Sequence, residues 1–194
     1  MKQNIYRTHS CGELRISDVG KEVKIAGFVE TIRDLGGLVF LDIRDIYGIT
    51  QVVTSGAANA TDFASHIPIE SSVTISGTVR KRDEETYNPK IPTGEVEVVI
   101  KDITILGKRT KNLPFEVNIS QEVREDLRLQ YRFLDLRGKK LQDNLKLRAE
   151  VLQYLRMQMI DQGFLEVQTP ILTTSSPEGA RDYLVPSRVH PGKF

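Results

Sequence analysis

Tryptophan is missing from this 194-residue chain, and cysteine occurs once, at Cys11. A single thiol forms no internal disulfide, so a packed core must hold the fold, and a reducing cytoplasm is the expected compartment. Long apolar runs are missing too. No stretch approaches the ~20 apolar residues of a membrane span, and the opening MKQNIYRTHSCGEL has no apolar signal core. His9, His66 and His190 are scattered, with no cysteine or carboxylate at ligand spacing, so no metal site is expected in the protein itself. There is no Walker-type P-loop and no GxGxxG. Gly36-Gly37 is too short to cradle a phosphate and suits a turn before a strand, and Ser175 and Ser176 have no partners that suggest a nucleophilic triad. Catalysis by visible side-chain chemistry is therefore not expected.

What is present is an apolar content of 39%, enough for a packed core and too much for the disordered classes. The net charge of +1 hides an asymmetry. Residues 1–106 carry 12 basic and 15 acidic side chains, a net of −3; residues 107–194 carry 15 and 11, a net of +4. Non-specific nucleic-acid binding depends on neutralising phosphates, so a net-acidic first half that binds RNA must select by local geometry.

That first half reads as short strands. Val23–Glu30 places Val23, Ile25 and Val29 on one face. Leu38–Arg44 places Val39, Leu41 and Ile43 on one side and Phe40, Asp42 and Arg44 on the other. A turn through Asp45–Gly48 leads to Ile49–Val53, which predicts a hairpin. The stretch AANATDFASHIP predicts a short helix closed near Pro68. Ser72–Arg82 and Glu95–Leu106 complete the set, with Val73, Ile75 and Val79, then Val96, Val98 and Ile100, on their apolar sides. Three strands, a helix and two strands is the plan of an OB-fold, a small Greek-key barrel. Glycine recurs in IAGFV and ISGTV, where a small barrel needs a sharp bend. An ordinary β-sandwich is the plainer alternative.

Residues 107–120 (GKRTKNLPFEVNIS) break the pattern and read as a linker. Ser120 is a candidate N-cap for a helix through QEVREDLRLQYRFL. Leu141–Gln162 predicts a longer helix with Leu141, Leu145, Leu152, Leu155 and Met159 as its buried stripe and Gly163 just beyond its end. A short strand, Leu165–Thr169, precedes Pro170.

On the outward face of the barrel, Phe40 stands beside Asp42 and Arg44, with Gln51 on the next strand, Arg80 and Arg82 at the end of the fourth, and Arg33 in the loop before Leu38. Rings stack on unpaired bases, at roughly 1–3 kcal/mol each, while Arg and Gln hydrogen-bond base edges and phosphates. The competing reading has Phe40 under a loop and the arginines in solvated ion pairs with Asp42, Asp34 and Glu84.

Several segments then agree with one family. RTHSCGELRISDVGKEVKIAGFV with RDLGGLVFLDIRDIYGITQVV, then YRFLDLR at Tyr131–Arg137, GFLEVQTPIL at Gly163–Leu172 and SPEGARDYLVPSR at Ser176–Arg188 together resemble the N-terminal portion of bacterial-type aspartyl-tRNA synthetases. The GFLEVQTPIL segment is similar to class II motif 1, and SPEGARD separates the aspartate enzymes from their lysine and asparagine relatives.

The resemblance implies an α+β chain in three parts. Residues 1–106 would be an OB-fold anticodon-binding domain, 107–120 a linker, and 121–194 the start of a class II catalytic domain with motif 1 but without motifs 2 and 3. It implies that Phe40 stacks on an anticodon base, that Arg33, Gln51, Arg80 and Arg82 contact the anticodon loop, and that Glu95 reads a base. It implies that Glu178, in a mobile loop spanning 173–182, contacts the substrate aspartate, and that the long helix and Pro170 build a homodimer interface. Without the family, Glu95 and Glu178 read as solvated carboxylates.

The full-length enzyme would use ATP and Mg2+ to join L-aspartate to tRNA(Asp); the chain to Phe194 would bind the anticodon but not adenylate. Two departures stand out in the barrel. Glu30-Thr31-Ile32 replaces a run of arginines, removing positive charge from the anticodon face, and Phe28 stands where tryptophan is usual. A free-standing RNA-binding module is the alternative of a different class, and a structural dimerisation fragment is a third.

Overall fold

A computed structural model describes residues 4–54, 64–172 and 183–194. Five strands form a closed barrel: β1 (Glu22–Asp34), β2 (Val39–Arg44), β3 (Ile49–Val53), β4 (Ser72–Lys81) and β5 (Val96–Gly107). Around the barrel they run β1-β2-β3-β5-β4, all antiparallel except the short β3–β5 pairing. This is the expected OB-fold order. The structure differs in the length of β1, which is 13 residues and pairs with β4 along its first half and β2 along its second. One strand can serve both neighbours because it bends at a register shift between Val29 and Thr31.

The alternation expected from the sequence is the alternation that is buried. Leu41, Ile43, Ile25, Ile75, Val73 and Val98 are fully enclosed, and each such side chain contributes roughly 1.5–3 kcal/mol through burial. Cys11 and Leu14, from the segment before β1, complete this core. Gly27 and Gly77 are required by close backbone approach. A methyl group on Gly27 would lie 2.4 Å from the Arg44 carbonyl, and one on Gly77 would lie 2.2 Å from that of Val99. Most of AANATDFASHIP, where a short helix is expected, lies outside the described residues; Ala64 and Ser65 are helical, and Ala64 and Ile67 join the core.

The structure corrects three expectations beyond the barrel. The single helix starting at Ser120 is instead a 3-10 turn (Val117–Glu122) and two short helices, α1 (Glu125–Gln130) and α2 (Arg132–Asp135). Ser120 is buried inside the turn and caps nothing; Val123 and Arg124 are extended, and Tyr131 breaks the helix with φ −109° and ψ 45°. The compensation is a small second core of Phe115, Val117 and Leu134, onto which Leu127 and Tyr131 fold. The residues expected as a linker therefore carry buried side chains. Beside them Asp135, fully buried, is clasped by Arg128 at 3.1 Å and Arg132 at 2.7 Å.

Residues 1–143 make one compact unit and 144–194 another. The second holds α3 (Lys139–Asp161) from Asn144 onward. Its end follows the sequence closely: Gly163 has φ +87°, its N–H donates to the Ile160 carbonyl, and that of Phe164 donates to Met159, the two bonds of a Schellman cap. The expected buried stripe is not buried. Leu145, Leu152, Leu155 and Met159 are about half exposed, and no residue of α3 is buried. Nor is Leu165–Thr169 a strand, since no strand among the described residues pairs with it.

Candidate nucleic-acid interface

The barrel's outer face carries a continuous hydrogen-bonded row across all five strands. It starts on β1, where the Thr31 hydroxyl donates to Asp42 at 2.5 Å. Arg33 donates from one nitrogen to both Asp42 oxygens, at 3.2 Å, and to the Gln51 carbonyl oxygen at 3.1 Å. The Gln51 amide donates to Glu97 at 2.9 Å, and Arg80 donates twice to the other Glu97 oxygen, at 3.1 and 2.5 Å. Phe40 lies beside this row, paired in register with Arg33 and half-buried.

Register explains the convergence. Asp42 faces both Thr31 and Gln51 across the sheet, and Arg80 faces Glu97. Gln51 and Glu97 are 5% exposed, whereas the side chains of Arg33 and Arg80 are more than half exposed. The buried pair is thus fixed by its neighbours, and the cations stay open to a ligand. A ring for stacking, two carboxylates that accept from base amino and imino groups, and two guanidinium groups that donate make a surface able to bind an unpaired nucleotide and tell bases apart.

Four residues singled out from the sequence, Arg33, Phe40, Gln51 and Arg80, are brought together here. Arg82 and Glu95 are not part of the row. They meet through the backbone, Arg82 N–H to the Glu95 carbonyl at 2.9 Å, and the Glu95 side chain is exposed. Glu97 takes the acidic place in the cluster. In GEVEV both glutamates have the same parity, so alternation could not separate them; the β4–β5 register does, by setting Glu97 opposite Arg80. Of the acidic partners expected for the arginines, Asp42 pairs with Arg33, while Arg80 pairs with Glu97, which is not among them. At the departure from the arginine run, the Thr31 hydroxyl occupies one Asp42 oxygen and adds no charge to the face.

Further along the same outer side lies a buried ionic junction. Arg44, two residues beyond Asp42, pairs with Glu70 at 2.6 Å and with Glu30 at 3.4 Å. The other Glu70 oxygen accepts from Arg137 at 2.7 Å, and the Arg137 guanidinium sits 3.9 Å from the Phe28 ring centre. Glu70 has φ +65°, at the third position of a turn closed by Ser71 N–H to the Pro68 carbonyl, a place that favours glycine. Holding glutamate there costs about 1–3 kcal/mol, and its two arginine partners offset the strain. Burial raises the Glu30 carboxyl above the usual range although Arg44 opposes it. Burial likewise pushes the Cys11 thiol up, with Asp45 adding to the effect, so the thiol is unreactive in the folded barrel.

Of the remaining expectations, Pro170 is exposed, and Glu178 and the loop around it lie outside the described residues. Among the described residues no group of three or more His, Cys, Asp or Glu is placed to hold a metal ion. No described helix is long and apolar enough to cross a membrane.

Comparison with known proteins gives two family matches. Residues 23–106 match the OB-fold nucleic acid binding domain, and residues 124–194 match the class II tRNA synthetases (D, K and N). An aspartate–tRNA(Asp/Asn) ligase of Phenylobacterium zucineum is 52% identical over 191 residues, covering 98% of this chain and 32% of the relative. The protein of the same description from Rickettsia bellii is 54% identical over 190 residues, covering 97% and 31%. The chain therefore spans about a third of the length of these relatives. Among solved structures, asparaginyl-tRNA synthetase from Pyrococcus horikoshii complexed with asparaginyl-adenylate superposes with a TM-score of 0.76 at 28% identity, covering 92% of this chain and 39% of that one.

Proposed function

We propose, for a chain that belongs to the class II tRNA synthetases of the aspartate, lysine and asparagine group, that the outer face of its barrel reads the anticodon of an aspartate-accepting tRNA. The observation that carries this reading is the row from Thr31 through Asp42, Arg33, Gln51 and Glu97 to Arg80, with Phe40 beside it. Phe40 stacks on one base. Glu97 and Gln51, held by their neighbours, accept from and donate to the edge of another, and Arg33 and Arg80 supply the cations for the phosphates. A net-acidic domain binds RNA on these terms because selection comes from a few fixed groups and not from bulk charge.

The functional division we infer is 1–106 for anticodon binding, 107–120 as the connection and 121–194 as the first part of the catalytic domain; the two family matches, ending at 106 and starting at 124, support it. In the longer protein, ATP and L-aspartate would form an aspartyl-adenylate, and the aspartyl group would pass to tRNA(Asp) in the cytoplasm. The two relatives support that activity, and their description names tRNA(Asn) as well. Glu178 is the residue we assign to the aspartate. A second copy of the chain is the partner we assign to α3 and Pro170, supported by the half-exposed leucines of that helix.

The test is Glu97→Gln, with affinity measured for the anticodon stem-loop and for a copy with an altered anticodon. Removing the charged acceptor is expected to lose about 1.5–3 kcal/mol of discrimination between the two loops. Unchanged discrimination would reject base reading by this face.

A further inference from the structure

The outer face does not stop at Arg80 and Glu97. Two residues further along the same strands, and so on the same side of the sheet, Thr78 faces Val99, and Glu22 of β1 faces Thr78. The Thr78–Val99 row lies about 6–7 Å from the Arg80–Glu97 row, given ~3.3 Å per strand residue. Above it is an open hollow of about 600 Å³, lined by Val19, Gly20, Thr78 and Val99 between Arg80 at one end and Lys101 at the other. Val19 is exposed and Val99 half-buried, so the floor is accessible apolar surface. Lys101 is ion-paired to Glu22, and both side chains are more than half exposed.

We propose that this hollow is a subsite for the nucleotide next to those read by the Gln51–Glu97–Arg80 group, taking its base or ribose on Val19, Thr78 and Val99 and its phosphate between Arg80 and Lys101. The inference rests on the anticodon-reading proposal, because Arg80 is shared by the two places. Continuity and charge select the occupant. A strand of RNA bound at Glu97 that continues past Arg80 meets this apolar floor, which lies one residue row away and ends in the Lys101 cation. The floor offers one hydroxyl, that of Thr78, and no fixed array of donors and acceptors. The subsite therefore adds affinity without reading sequence. Glu22 competes with the phosphate for Lys101, which predicts that removing Glu22 strengthens binding.

The experiment is a titration of the chain with the anticodon stem-loop at several salt concentrations, for the wild type, Lys101→Gln, Val19→Glu, Glu22→Gln and, as a reference, Phe40→Ala. All four positions are on the surface or half-exposed and outside the core cluster. Lys101→Gln and Val19→Glu are expected to weaken binding about 3–10-fold, and Lys101→Gln to reduce the slope of log affinity against log salt by about 0.7, the value for one phosphate on a single strand. Glu22→Gln is expected to tighten binding. Discrimination against an altered anticodon should be the same in these three variants as in the wild type. If Phe40→Ala weakens binding while the other three bind like the wild type with its salt slope, the hollow is not a subsite and anticodon reading stands. If Lys101→Gln or Val19→Glu changes discrimination, the subsite is not sequence-neutral as proposed. If the wild type does not bind the loop, both readings fall.

Discussion

The barrel and the long helix put the same kinds of side chain to opposite use. In the barrel, Leu41, Ile43 and Ile75 are fully enclosed. On α3, Leu145, Leu152 and Leu155 are half exposed, and nothing on that helix is buried. The difference is one of closure. Strands β1 to β5 form a cylinder without edges, so every inward residue meets another from the same stretch of chain. A lone helix has no inside, and its apolar side is buried only when another surface lies against it. A period in the sequence thus tells which side is apolar, and only the partner decides whether that side is covered.

The comparison breaks or sharpens most clearly on stability. Ile75→Ala opens a cavity in the closed core and is expected to lose about 2–5 kcal/mol, whereas Leu152→Ala should change stability by less than about 0.5 kcal/mol. Urea unfolding of the dilute chain measures both; equal losses would mean that the helix is as enclosed as the barrel.

Charges extend the contrast. Glu70 is buried between Arg44 and Arg137, so Glu70→Gln is expected to lose about 1–3 kcal/mol. Arg156, on α3, pairs with Glu166 in the open, and Arg156→Gln should leave the unfolding midpoint in place. A shift for Arg156→Gln as large as that for Glu70→Gln would remove the distinction.

A small effect of the opposite sign is expected for Glu30→Gln. Folding raises the Glu30 carboxyl above its usual range, chiefly by burial. The native state then holds that proton more tightly than the unfolded chain, and stability falls as pH rises from the ordinary carboxylate range through the raised one. Glu30→Gln should therefore stabilise the chain slightly at neutral pH, with the gain shrinking as pH drops towards that ordinary range. Thermal unfolding at a series of pH values reads this out, and a loss at neutral pH would mean that the Arg44 pairing outweighs burial.

The barrel was largely legible in the sequence because period-two alternation marks the inward residues of β1, β2, β4 and β5, and Val23, Leu41, Ile75 and Val98 are buried as their positions require. Four of the six residues expected on the anticodon face also converge: Phe40, Gln51 and Arg80 follow from strand parity and pairing, whereas Arg33, expected in a loop, is carried there because β1 extends to Asp34 and pairs Arg33 with Phe40. Glu97 was missed because Glu95 shares its parity, and only the register of β4 with β5 separates them. The break at Tyr131 was invisible for a related reason: a pattern spaced for a helix runs through both short helices, and one non-helical residue does not disturb it. The Glu70 junction joins residues 26 and 67 positions apart in the chain, and local pattern carries no signal for such contacts.

The most direct measurement is a titration, at fixed salt, of the chain with the aspartate anticodon stem-loop, beside a copy with a scrambled anticodon and a Phe40→Ala variant. Anticodon reading by the barrel predicts preference for the correct loop and a loss of about 1–3 kcal/mol when the ring is removed. Equal binding of the two loops, or wild-type affinity in Phe40→Ala, would contradict it.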